Sequence, residues 1–114
     1  MKFFLCINDS GALGAYEAVV GGGKATDDFF IGGIDGDASA LELIKQGTIY
    51  RASVASTMLT PEVAFYIIQN MAKAKLGLDY EKKMVFEVFA ITEENVEEYL
   101  ARTPDYESLY DMPF

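Results

Sequence analysis

Phe29-Phe30-Ile31-Gly32-Gly33-Ile34-Asp35-Gly36-Asp37 is the stretch that decides the fold. An apolar run this short, closed by glycine and acidic turn residues, reads as a strand buried on both faces of a parallel sheet. The pattern occurs earlier as well: Phe3-Phe4-Leu5-Cys6-Ile7 ends at Asn8-Asp9, and a helix-like stretch follows each run. In an open α/β sheet the carboxyl ends of the strands face a crevice, where side chains from different strands converge on one ligand. Asn8 and Asp35 are therefore the first candidates for function.

Working outward, Ser10 to Val20 has the apolar spacing of a helix, and either Asp9 or Ser10 can cap its first turn. Gly21-Gly22-Gly23 follows that helix instead of preceding one, so it reads as a C-cap and turn and not as a phosphate cradle. Ala38 to Gln46 is a second helix that stops at Gly47, and Ile49 to Ala55 is a third strand. The order βαβαβ, with connections that allow only right-handed crossovers, predicts half of a doubly wound parallel sheet. Pro61, after a Thr60 cap, starts the longest helix, which runs to about Lys75 with Val63, Ile67, Ile68 and Met71 on its apolar side. Met84 to Ile91 reads as a fourth strand. Thr92 then caps a short acidic helix ending near Leu100, whose glutamates read as a solvated face and not as a metal site. The tail after Pro104 carries Tyr106, Leu109, Tyr110, Met112 and Phe114, apolar enough to pack on something.

The 114 residues are half apolar, with seven tyrosines and eight phenylalanines, which suits one folded domain or a piece of a larger one. A formal charge of -9 repels phosphate backbones and anionic lipid heads, so nucleic acid is not an expected partner and a neutral or cationic small ligand fits better. There is no histidine and a single cysteine, Cys6, inside an apolar run. No cofactor, no metal and no internal disulfide are expected, and the Ser-His-Asp and Cys-His nucleophile kits are missing. A phosphoacceptor receiver domain has this length, but it needs a later acceptor aspartate and a lysine at a strand end that this chain does not place. The expectation is no enzyme. Met1-Lys2 plus five apolar residues is too short for a signal peptide.

Several stretches together resemble the C-terminal part of the periplasmic sugar-binding proteins of the ribose and galactose type, which have the type I periplasmic binding protein fold. Asn8-Asp9-Ser10-Gly11-Ala12-Leu13-Gly14-Ala15 looks like the family's strand-end Asn-Asp and the helix after it, and Gly33-Ile34-Asp35-Gly36 is similar to its next strand end. Leu43 to Ile49, Ala52-Ser53-Val54-Ala55 and Ile91 to Val96 match in order along about the first hundred residues. The ligand domains of related transcription regulators share the pattern.

The resemblance implies that Asn8 and Asp35 bind hydroxyl groups of a monosaccharide or similar polyol between two lobes. The third polar position falls on Ser56, with Ala55 as the competing alignment, where the family usually has a long amide. Read this way, 1-56 is the βαβαβ segment of the C-terminal lobe, 57-91 is a crossover helix and strand that pack on the other lobe, and 92-114 is a short helix and tail. Intact members are more than twice as long, so the site here is incomplete, and the missing lobe or a second copy of this chain is the expected partner. The implied function is non-catalytic sugar binding for an ABC-type membrane transporter, periplasmic or extracellular. The alternatives are a sugar-sensing fragment of a transcription regulator and a stand-alone assembly unit without ligand.

Overall fold

The computed structural model describes residues 1–56 and 60–101. Their elements are β1 (Lys2–Leu5), α1 (Asp9–Gly21), β2 (Phe29–Ile34), α2 (Ala38–Lys45), β3 (Tyr50–Ser56), α3 (Pro61–Lys75), β4 (Val88–Thr92) and α4 (Val96–Leu100). The strands lie in one sheet in the order β1-β2-β3-β4, with β1 parallel to β2 and β2 parallel to β3. The fold is thus the α/β partial doubly wound sheet that the sequence predicts. The residues fall into two units, 1–55 with 89–101, and 56–88.

In the first unit both crossovers progress in the same direction across the sheet, so right-handedness sets α1 and α2 on the same face. The alternation along β2 fits. Phe29, Ile31 and Gly33 are buried toward the helices, and Ile31 is fully buried together with Tyr50, Ile44, Ile91 and Val96. Each large side chain so covered stabilises the fold by about 1.5–3 kcal/mol. The Phe89 and Tyr99 rings stack at 4.9 Å, tying β4 to α4, while Lys45 pairs with Glu97 at 3.3 Å between α2 and α4. The opposite face is apolar: Leu5, Phe30, Gly32, Ile34, Ala52 and Val54 line a groove of about 300 Å³.

Three expectations need correction here. The run Phe3 to Ile7 does not form a strand buried on both faces. β1 is an exposed edge strand, with Phe3 64% and Leu5 72% accessible and Ile7, past its end, 87%, because among the described residues it has β2 as a neighbour on one side only. The fourth strand begins at Val88 rather than Met84, and α4 begins at Val96 rather than directly after Thr92. Thr92 is no cap: Asn95 Oδ1 accepts from the Thr92 amide at 2.8 Å, and Asn95 Nδ2 donates to the Ala90 carbonyl at 3.0 Å, which closes a turn before the helix.

The second unit is built on α3. Thr60 Oγ1 accepts from the Val63 amide, Pro61 opens the helix, and Gly77, at φ +70°, follows its end. Val63 and Ile67 are half-buried as expected, but Ile68 and Met71 are exposed, and the helix buries Gln69 and Asn70 instead. Asn70 Oδ1 accepts the Glu81 amide at 3.0 Å, so its burial holds the segment after the helix. The tail after Pro104 lies outside the described residues.

Gly33 is where packing is least forgiving. A Cβ there would overlap Asp9 Oδ1 and lie 2.9 Å from the Asp9 Cα and 2.5 Å from the Tyr50 hydroxyl. Gly33→Ala is expected to destabilise the chain by about 1–3 kcal/mol in urea denaturation, the usual cost of overpacking.

Candidate functional site

The β1–β2 register pairs Leu5 with Gly32, so Asn8 and Asp35 each stand three residues past a paired position, on adjacent strand ends. Asn8 takes the extended conformation of a cap, φ -153° and ψ 167°, and its Oδ1 accepts from the Gly11 amide at 2.8 Å. This corrects the assignment of the cap to Asp9 or Ser10. The cap uses the amide oxygen of Asn8 and leaves its Nδ2 outside the cap.

Asp9 does something else. Its side chain is fully buried, 0% accessible, and gathers three donors. The Tyr50 hydroxyl donates to Oδ1 at 2.8 Å, the Ser53 hydroxyl donates at 2.8 Å to the two oxygens, and the Asp37 amide donates to Oδ2 at 2.8 Å. A buried carboxylate is tolerated when its lone pairs are met in this way. Burial, and then the hydrogen bond to Asp9, push the Tyr50 hydroxyl far above the usual phenol range, which keeps it a donor.

The turn after β2 is held at every amide. The Asp35 amide donates to the Val54 carbonyl at 2.8 Å, the Gly36 amide to Ser53 Oγ at 3.0 Å, and the Asp37 amide to Asp9. Asp35 sits at φ +122°, a region that favours glycine, and its side chain is exposed at the strand end. Backbone strain of this kind costs about 1–3 kcal/mol and persists where the surroundings enforce it, typically at ligand-facing turns. The Asp37 carboxyl is raised above its ordinary value by desolvation first, and then by the charges of Asp9 and Asp35.

Of the three residues singled out from the sequence, Asn8 and Asp35 lie beyond the ends of the adjacent strands β1 and β2. Ser56 is the half-buried last residue of β3 and belongs with the second unit. Among the supports, Asp9 reads from the sequence as a helix cap, and Ser53, Tyr50 and Gly33 have no site role there. A signal existed for one of them: a glycine pair inside an apolar strand marks a close approach of backbone or side chain.

Removing one donor should show how much the buried carboxylate matters. Tyr50→Phe is expected to cost about 1.5–3 kcal/mol in urea denaturation, the range for a hydrogen bond to a charged group. Asp37 has the opposite sign. Because its native pKa is raised, the fold disfavours its charged form, and stability falls as pH rises through the carboxylate range. Asp37→Asn is expected to melt above wild type at neutral pH and level with it near about pH 3, where both side chains are neutral.

No family model matches the chain, and no curated protein does. Solved structures do. An ABC transporter solute binding protein from Bacillus halodurans C-125, with bound myo-inositol, is 33% identical over 89% of this chain at a TM-score of 0.69. A Caulobacter myo-inositol binding protein, bound to myo-inositol, is 27% identical over 97% of it at the same TM-score. The matched part spans 33% and 34% of those two chains. This chain therefore shares its α/β fold with about a third of the length of these two solute-binding proteins.

Proposed function

We propose that the chain contributes one wall of a non-catalytic polyol site in a solute-binding protein that serves an ABC-type transporter, periplasmic or extracellular. The observation that carries this reading is the placement of Asn8 and Asp35 at adjacent strand ends with different roles. The amide nitrogen of Asn8 can donate to a hydroxyl, and the carboxylate of Asp35 can accept from one or two. A polyol needs both, since each hydroxyl donates once and accepts as well. Ser56, the last residue of β3, is the third ligand that the family resemblance implies, and its hydroxyl reaches less far than an amide. The acidic setting of Asp9, Asp35 and Asp37 disfavours anionic ligands and leaves neutral ones. Both similar structures hold myo-inositol, a neutral polyol. The exposed β1 and the open apolar face support a reading in which this wall works covered, either by the rest of a two-lobed protein or by a second copy.

Calorimetric titration of the protein expressed from its full reading frame, with myo-inositol and a panel of monosaccharides, tests this. Binding of at least one polyol is expected, weakened about 10- to 100-fold by Asn8→Ala and by Asp35→Ala. Unchanged affinity in the double variant would refute the site. The 114-residue chain alone is expected to bind weakly, because it supplies about a third of the fold.

A further inference from the structure

The polyol reading names the groups that touch ligand. It leaves open why Asp35 holds a backbone conformation that aspartate avoids. The three amides of the Asp35-Gly36-Asp37 turn answer this. One is fixed by the sheet, through the Val54 carbonyl, and the other two lead to a single side chain. The Asp37 amide reaches Asp9 directly at 2.8 Å, and the Gly36 amide reaches it through Ser53 Oγ, which accepts at 3.0 Å and donates its own proton to Asp9. Asp9 itself cannot shift, since it is fully buried, pinned by Tyr50 and seated in the gap left by the missing side chain of Gly33.

We propose that Asp9 is the positioning residue of the site: through Ser53 and the Asp37 amide its buried carboxylate locks the turn and so aims the Asp35 carboxylate at the ligand. This rests on the polyol reading. Asp9 touches no ligand and acts through Asp35 alone. Pre-organising an acceptor in this way raises affinity by removing the cost of ordering it at binding. An amide in place of the carboxylate offers one acceptor oxygen for donors that now meet two. Serine to alanine at 53 cuts the relay to Gly36 while leaving Asp9 in place.

The test has two arms, with Asp9→Asn and Ser53→Ala each compared with wild type after melting curves establish that they fold. In the first arm, amide hydrogen exchange is followed by NMR on the 114-residue chain. Exchange at Gly36 and Asp37 is expected to quicken at least about ten-fold in Asp9→Asn, and at Gly36 in Ser53→Ala, with the amides of β2 unchanged. Unaltered exchange at both positions overturns the proposal, whatever the protein binds. In the second arm, myo-inositol is titrated into the full-reading-frame protein in a double-mutant cycle with Asp35→Asn. Each support variant is expected to weaken binding about ten-fold when Asp35 is intact and less than about two-fold in the Asp35→Asn background. Equal losses in both backgrounds mean that Asp9 acts on the fold at large, and overturn the proposal. Wild type that binds no polyol refutes the polyol reading, and the exchange arm then decides the positioning role by itself.

Discussion

One buried carboxylate ties the first unit together. Asp9 has no access to water, so each of its lone pairs has to be met from within the fold, and its donors come from 28, 41 and 44 residues further along the chain. Meeting them fixes several things at once. The start of α1 has to lie over β2 closely enough to reach across to β3, and this requires Gly33 to carry no side chain. Tyr50 and Ser53 have to point to the helix face of β3, which settles the register on that side of the sheet. The shift between Ile31 and Gly32 in the β2–β3 pairing lets Tyr50 and Ser53 do so together, since an unbroken alternation over three residues would send them to opposite faces.

The sheet is closed on one side and open on the other. Parallel sheets normally have both faces covered, because βαβ crossovers lay helices over them. Here both crossovers run the same way, and the helices cover the face that holds Ile31 and Tyr50. The other face keeps the groove along Phe30, Ile34, Ala52 and Val54, and β1 shows its side chains at the edge. Such a surface fits a chain that matches about a third of the length of the solved structures it resembles. It also explains why local patterning misread β1: Phe3 to Ile7 has the composition of a central strand, and its exposure depends on what stands beside it.

Elements were legible in the sequence where local chemistry decides them. β2 and α3 have the bounds that their stop signals indicate, Asp35-Gly36 for one and Thr60-Pro61 with Gly77 for the other. Where two neighbours compete for one role, local rules failed. Asn8, Asp9 and Ser10 are all acceptable helix caps, and the choice of Asn8 follows from the long-range demand that draws Asp9 into the core. The same holds at α4, where Asn95 and not Thr92 organises the turn. Of the candidate site, the strand-end residues are proposed from their position in the sequence, whereas their supports lie on other elements and become visible only with the register.

That division of labour bears on what the site can select. Asn8 is anchored by its oxygen and Asp35 by its backbone, which leaves an amide nitrogen and a carboxylate beyond the ends of adjacent strands. The strain at Asp35 is sustained by a network that has no free donor to give up, so a ligand cannot relax it without unsatisfying Asp9. In the proposed polyol site, selection would rest on the direction of hydroxyl groups more than on charge. The three neighbouring carboxylates, Asp9, Asp35 and Asp37, add a penalty against any anionic ligand, in keeping with the neutral polyol proposed for this wall.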